Sequence, residues 1–576
     1  MSLCFKKRTH TCGELRKSHI GKRVTLLGWI SSLRDHGGIF FINLRDRYGV
    51  TQVVVDKREL IDRVKRWRSE FIIEVTGEVR ERPPDAINPN MATGEVEVLA
   101  DDVHLVAEAK VPPFVIADDV KVRPELRLRY RYLDLRRPAV QRNIILRATV
   151  VREIRRYLDE HGFIEIETPI LAKSTPEGAR DFLVPSRNFP GKFYALAQSP
   201  QLYKQLLMVA GFDRYYQLAK CLRDEDPRKD RQPEFTQVDL EMSFVTEDDV
   251  FELVEGLMSH LWKTVLGVEL ESPFVRMTYR EAMERFGTDK PDMRFGYELR
   301  DVTPIAKASD FRIFKQADKV VALLWQDELS RKEIEELETI AKEVGVGGLV
   351  FMRVKDGTIA GGVSKYFSEE LQKGLLKLLD VRGDGTILMT AGDWKPTLEA
   401  MGAVRSKLIE RLDPPNEYKF VWVTDFPIVE KTDTGYEPVH HIFSMPKRLD
   451  FEHPENMVGH VYDLVLNGVE LGSGSIRAHK REIQEKLLEI IGLTKQQMEE
   501  RFGFLLEALE YGAPPHGGIA LGLERLVGEM VGDRHIPNFI AFPKTTTGLG
   551  LMEGIPSEVT PEQLQELHIK IEKPKQ

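Results

Sequence analysis

The sequence predicts a multidomain protein: an N-terminal OB-fold β-barrel, a larger α+β unit built on an antiparallel sheet, and an α/β domain inserted into that unit. Three observations predict it. Residues 23–106 read as five short strands, VTLLGWI, GIFFINLRD, VTQVVVD, FIIEVTGEV and EVEVL, with a helical segment 59–68 between the third and fourth, the pattern of an OB barrel. Past residue 140, an amphipathic helix and two strand–loop–strand stretches, 214–244 and 463–476, follow one another. From 295 to 415 the texture changes to helix-like segments such as SRKEIEELETIAKEVG among short strands, and the strand pattern resumes only at YKFVWVTDFPI.

The totals set the frame. A chain of 576 residues has room for about three or four domains and a large core. Its 42% hydrophobic and 30% charged content is that of a soluble globular protein. No run is long enough to span a bilayer, and MSLCFKKRTH lacks the apolar segment of a signal peptide. No membrane partner and a cytoplasmic location are therefore expected. Cys4, Cys12 and Cys221 form no close pair and no zinc spacing, which suits a reducing compartment. A net charge of −9 excludes only a protein that is basic throughout, since a basic patch can sit inside an acidic chain.

In the barrel, Arg34, Phe41 and Gln52 are candidates to stack on and hydrogen-bond unpaired bases. Alternation sends one of Phe40 and Phe41 into the core. Pro112, Pro113 and Pro124, with the run RPELRLRYRYLDLRR, read as a linker. The helix 143–160 carries Ile144, Val151, Ile154 and Leu158 near helical spacing, Gly162 ends it, and Phe163 to Pro169 alternates as a strand. Residues 175–181 form a polar loop around Glu177. At 198–204, Ser199 is expected to cap a helix with Pro200 in its first turn, which sets Gln201 and Lys204 on one face.

In 214–244, Phe235, Gln237, Asp239 and Glu241 fall on one strand face, and Arg223 and Glu225 share a face at the end of the preceding strand. An ordinary hairpin with one wet face has the same pattern; the acids and bases crowded around Pro227 set this one apart. In 463–476, the Asn467-Gly468 turn pairs Leu466 with Val469 and Val465 with Glu470. Asp463 is then diagonal to Glu470, roughly 7–8 Å between Cα atoms, where two carboxylates can hold Mg²⁺ with waters and phosphate oxygens or simply be solvated. Arg477 falls on the opposite face if the strand is regular, but Gly472 and Gly474 permit a bulge. At 518–526 a strand runs into a helix whose first turn holds Arg525, where guanidinium and backbone N–H groups can meet phosphate.

Leu222-Arg223-Asp224-Glu225, with the strands around it, resembles motif 2 of the class II aminoacyl-tRNA synthetases. The helix–glycine–strand–proline stretch resembles their motif 1, which in that family builds a dimer interface, and 518–526 resembles motif 3. The order of elements and the stretches TPEGARD, QSPQLYKQLLM, RDEDPRKDRQPEFTQVDLEMSF, His440-His441 and GVELGSGSIR most resemble the bacterial-type aspartyl-tRNA synthetases of subclass IIb, with 295–415 similar to their extra, GAD-type domain. The resemblance implies an OB-fold anticodon-binding domain at 1–108, a hinge at 109–140, a class II catalytic domain at 141–294 and 416–556, the insertion at 295–415 and a C-terminal extension at 557–576.

It also implies roles. ATP and aspartate would form an adenylate, and aspartate would pass to tRNA-Asp, with tRNA-Asn also accepted by relaxed members. Arg223 and Arg525 would be the catalytic cations on the α- and γ-phosphates, with Phe235 under adenine. Asp224, Glu225, Gln232, Glu470, Gly522, Leu523 and Glu524 would complete the ATP site, and Asp463 and Glu470 would carry Mg²⁺. Arg477 and Lys204 would bind the side-chain carboxylate of aspartate, Ser199, Gln201, Asp239 and Glu177 would surround its ammonium, and His440 and His441 would close the pocket beside Arg223. Arg34, His36, Phe41 and Gln52 would read the anticodon; His36 stands where strictly discriminating members often have leucine. A homodimer is implied. A catalytically dead paralogue that binds nucleic acid, or an enzyme for another amino acid such as asparagine, shares much of this pattern, although Arg223, Arg525, Asp463, Glu470 and Arg477 are all retained.

Overall fold

The strands Arg23–His36, Ile39–Asp46, Gly49–Val55, Ile72–Glu81 and Val96–Ala107 close a barrel in the order first, second, third, fifth, fourth. The computed structural model describes residues 5, 7–175 and 178–572. The first strand outruns VTLLGWI because Ser32 to His36 pair with the second strand up to the Gly37-Gly38 turn, where both glycines have positive φ. The helix is shorter than expected, Arg58–Val64. Phe40 joins Ile42 and Leu44 in the barrel core, and Phe41 points outward.

The chain divides into two compact units. The first is the barrel, the segment up to Ile145, and Ile540–Ser557. Here three arginines of the basic run turn inward: Arg127, Arg131 and Arg137 surround buried Asp134 at 2.8, 2.5 and 3.1 Å. Arg131 also donates to the carbonyls of Ile540 and Ala541, so a buried charge has the partners it requires.

The second unit centres on an eight-stranded sheet in the order Val275–Thr278, Phe420–Thr424, Val461–Leu466, Val469–Ile476, His516–Gly522, Glu234–Ser243, Arg214–Leu222, Ile164–Glu165. The outermost pair at each end is parallel and the rest are antiparallel. The strand expected from 163 to 169 is only Ile164–Glu165, since the chain leaves the sheet edge afterwards. Val238, Leu240, Trp422, Tyr462, Leu464, Ile519 and Leu521 bury one sheet face against the helices Pro138–Glu160, Glu247–Leu261 and Leu523–Val531. Each such side chain contributes about 1.5–3 kcal/mol. On the opposite face Val421, Val423, Val461 and Val465 pack with Met277, Phe286 and Phe426, and the strands beyond them are left for chemistry.

The inserted region forms its own antiparallel sheet, ordered Arg300–Asp301, Lys319–Trp325, Gly385–Gly392, Val350–Lys355, Thr358–Ala360. The helices Arg331–Val344 and Trp394–Ile409 pack into one core, and Thr303–Lys307 and Glu369–Leu378 into a second.

Candidate active site

The free sheet face gathers side chains from four strands. Gln237 and Asp239 pair with Gly522 and Ala520, and Ser473 and Ser475 with Ala520 and Gly518. Small residues on the motif 3 strand are required there: a Cβ at Gly518 would lie 2.3 Å from Glu241 Oε2. In the hairpin the turn pairs as expected, but Leu464 faces Gly472, so Leu471 is an extra residue. That bulge reverses the parity, and Glu470, Ser473, Ser475 and Arg477 all reach the site face. The expectation of Arg477 on the opposite face held only for a regular strand.

One cavity of about 180 Å³ is lined by Ser199, Gln201, Lys204, Asp239, His441 and Arg477, among others. At its floor Arg477 donates from Nε and Nη2 to Glu241 Oε1 and Oε2 at 2.8 and 3.0 Å, and from Nη1 to Ser475 Oγ at 2.7 Å. Lys204 Nζ lies 3.0 Å from Asp239 Oδ2 and 3.2 Å from Glu241 Oε2. All four charged side chains are buried. Burial pushes the Asp239 carboxyl up to about 6, with Lys204 opposing and Glu241 adding. Burial acts on Glu241 too, but Arg477 and Lys204 outweigh it and hold its carboxyl down to about 2. Asp239 Oδ1 and Gln201 Nε2 are buried without a hydrogen-bond partner among the described residues, as expected of groups awaiting a polar ligand. His441 stands at the mouth with one side exposed, yet the surrounding protein, then Arg477 and Lys204, hold its pKa well below 6.5. His440 packs edge-on against Phe426.

A second cavity of about 300 Å³ adjoins the first, sharing Arg223, Gln237, Glu470 and Ala520, and adds Glu225, Gln232, Phe235, Gly522, Glu524 and Arg525. The Arg223 guanidinium lies 5.1 Å from the Phe235 ring centroid. Glu524 accepts from Arg147 at 2.9 Å and from Thr236 N–H at 3.0 Å, which ties the helix Pro138–Glu160 to the strand Glu234–Ser243 and the helix Leu523–Val531. Glu470 accepts a contact from Lys290 at 3.2 Å and lies 3.9 Å from Arg525.

The carboxylates of Asp463 and Glu470 differ. Asp463 is fully buried, with the Ser473 side chain as its hydrogen-bonding neighbour and His440 Nε2 4.0 Å away. Burial, then the charge of Glu470, raise its carboxyl well above the usual 3.8. Lys290 and Arg525 keep Glu470 low despite burial. A buried carboxylate beside a second acid is the oxygen donor set that Mg²⁺ takes when phosphate oxygens and water supply the rest, so these residues fit that ion. No cluster of three or more His, Cys, Asp or Glu suited to a metal occurs among the described residues.

Several expectations need adjustment. Glu177 lies outside the described residues. Asp224 lines neither cavity; its backbone pairs with Arg180. The Leu523 side chain is in the core, so only its backbone can face a ligand. Ser199 is one residue too early to cap: the helix is Gln201–Val209 with Pro200 at the cap, although Ser199 Oγ accepts from Gln201 N–H at 3.3 Å. Gln201 and Lys204 are buried rather than solvated. Glu241 as the anchor of both cations, Arg147 and Lys290 were missed. Period-two spacing had put Glu241 on the site face, whereas no local signal marks the other two. On the barrel, Arg34 faces Phe41, and Gln52 faces Asn43 and donates to Glu97 at 2.8 Å. With His36 they share the outward face.

The family described as tRNA synthetases class II (D, K and N) matches residues 123–546, and the OB-fold nucleic acid binding domain matches residues 24–106. The chain belongs to the class II tRNA synthetases of the D, K and N group. Among relatives of this class II family, the Aspartate--tRNA(Asp/Asn) ligase of Caldanaerobacter subterraneus subsp. tengcongensis is 47% identical, covering 98% of this chain and 98% of its own. That of Desulfatibacillum aliphaticivorans is 48% identical with the same coverage of both chains. Asparaginyl-tRNA synthetase from Pyrococcus horikoshii complexed with asparaginyl-adenylate has a TM-score of 0.59 at 20% identity, covering 93% of this chain and 98% of that one. The Entamoeba histolytica asparaginyl enzyme has a TM-score of 0.59 at 17% identity, over 92% and 97%. Both share the class II fold.

Proposed function

We propose that this class II synthetase is an aspartate–tRNA ligase, which activates L-aspartate with ATP, releases pyrophosphate and transfers aspartate to the 3′ end of tRNA-Asp and of tRNA-Asn. The observation that carries the reading is the buried Arg477–Glu241–Lys204–Asp239 cluster at the floor of the smaller cavity. Its cations suit a side-chain carboxylate and its Asp239 an ammonium. Full-length relatives named Aspartate--tRNA(Asp/Asn) ligase support it.

In this reading Asp239, Gln201, Ser199 and Glu177 hold the ammonium while Arg477 and Lys204 fix the far carboxylate. The α-carboxylate then faces the α-phosphorus, and Arg223, which lines both cavities, neutralises the charge that grows there. Phe235 stacks under adenine, Glu225, Gln232 and the Gly522–Glu524 backbone bind the nucleotide, and Arg525 takes the γ-phosphate. Asp463 and Glu470 would hold Mg²⁺, which when bound adds neutralisation of the phosphates. His440 and His441, kept uncharged, close the pocket without repelling Arg477. Asparagine is rejected because its amide leaves both cations without a charged partner.

Arg34, His36, Phe41 and Gln52 read the anticodon from the barrel's outward face, and His36 underlies acceptance of tRNA-Asn. Residues 109–140 act as the hinge between anticodon-binding and catalytic domains, and the enzyme is cytoplasmic; among the described residues no helix is long and apolar enough to cross a membrane. Exposed Ile164, Ile170, Leu171, Leu183 and Phe193 are the apolar contacts of a two-fold homodimer. Charging tRNA-Asp and tRNA-Asn transcripts with labelled aspartate tests the proposal: both are charged, and charging of neither contradicts it.

A further inference from the structure

Lys290 has no part in the functions above, yet it lines the nucleotide cavity beside Arg223 and Arg525. Its ammonium lies 3.2 Å from Glu470 Oε2 and 3.6 Å from Asp289 Oδ2. An ammonium has three donors, and of the two carboxylates only Glu470 is within hydrogen-bond distance, so N–H groups remain, and the side chain is 40% exposed, which gives it freedom to turn into the cavity. Its backbone, by contrast, is held firmly. Arg405, buried in the helix Trp394–Ile409 of the inserted region, donates to the carbonyls of Asp292, Phe295 and Tyr297 at 2.9, 3.1 and 2.6 Å. That helix meets the turn before Lys290 backbone to backbone, where a Cβ at Gly402 would fall 2.1 Å from Gly287 O. On the other side, a Cβ at Gly468 in the turn of the carboxylate hairpin would lie 3.2 Å from the Asp292 Cβ.

We propose that Lys290 is a further phosphate-binding residue of this site, neutralising Glu470 until ATP arrives and then placing its ammonium against the β- and γ-phosphates, and that Arg405 of the inserted domain positions it. The inserted domain thereby supports the ATP site from behind. The polyanion needs the extra cation: Arg223 serves the α-phosphate and Arg525 one terminal group, which leaves the charge that departs with pyrophosphate partly unmatched. A flexible point charge suits that task better than a fixed fork.

This inference rests on the larger cavity being an ATP site, and the experiment separates the two. Calorimetric titration of the full chain with ATP and, separately, with AMP in Mg²⁺, without aspartate, is made on wild type, Lys290→Met, Lys290→Arg and Arg405→Lys. Wild type binding neither nucleotide overturns the ATP reading itself. If Lys290 meets the outer phosphates, Lys290→Met weakens ATP by about 10- to 100-fold, the loss of one charged hydrogen bond, while AMP is unmoved. Lys290→Arg recovers most of the loss, and Arg405→Lys shows a smaller, still ATP-selective loss. Unchanged ATP affinity in Lys290→Met, or equal losses of ATP and AMP, overturns the role of Lys290. Arg405→Lys binding ATP as wild type does overturns the positioning.

Discussion

Arg477 and Glu241 meet edge to edge: Nε to Oε1 at 2.8 Å and Nη2 to Oε2 at 3.0 Å, both side chains buried on the same face of one sheet. The pair aims the remaining donor edge and fixes the guanidinium plane, so a substrate carboxylate meets a preorganised cation. Lysine keeps the charge but loses the fork. Arg477→Lys should lower kcat/KM for aspartate by about 100-fold or more with KM for ATP little changed, read by steady-state exchange at varied aspartate.

Asp239 supplies a pH signature. Its carboxyl sits at about 6 rather than 3.8, so the folded site becomes protonated as pH falls through 6, and a neutral acid no longer pairs with the substrate ammonium. KM for aspartate should rise as pH drops from 7 to 5, by about tenfold at pH 5, while the ATP term stays flat. Asp239→Asn should show a high KM with that limb absent.

Asp463, if it holds Mg²⁺ as proposed, separates stability from activity. Burial and the charge of Glu470 raise its carboxyl, and Ser473 and Lys290 offset this only in part, so Asp463→Asn removes a poorly compensated buried acid. Tm at pH 7 without Mg²⁺ should be unchanged or higher by ~2–4 °C, whereas exchange activity falls by about 100-fold or more. Thermal scans beside rate measurements check both halves.

Phe235 and Arg223 present facing layers. Phe235→Leu keeps the bulk and loses the ring, so KM for ATP should rise by about tenfold, near the lower part of the range for one base stack. KM for aspartate should stay put.

On the barrel, Phe41→Ala should weaken tRNA binding without altering pyrophosphate exchange. His36→Leu should narrow charging toward tRNA-Asp, by about tenfold in the ratio of kcat/KM for the two tRNAs. Charging assays with both transcripts test this.

Much of this was legible because alternation is a local rule. That one of Phe40 and Phe41 turns into the core, the Asp239–Glu241 face and the Val465–Glu470 pairing each follow from period two and one turn, whereas which phenylalanine turns inward depends on how the barrel closes. Arg477 could not be oriented that way, because its direction depends on the extra residue at Leu471, and a bulge is decided by how the hairpin packs on the next strand. The burial of Gln201 and Lys204 was equally hidden: their helix is ordinary, and only its docking over Asp239 and Glu241 takes them out of water. Lys290 and Arg405 lie 115 residues apart in the chain, and no spacing rule joins a segment leaving the catalytic sheet to a helix at the end of an insertion.

The central claim is activation of aspartate, and amino-acid-dependent ATP–pyrophosphate exchange tests it most directly. Run with aspartate, asparagine and lysine side by side, the account predicts exchange with aspartate alone. Exchange with asparagine or lysine but not aspartate would contradict the assignment of Arg477 and Lys204. So would a folded, tRNA-binding protein that gives no exchange with any of the three.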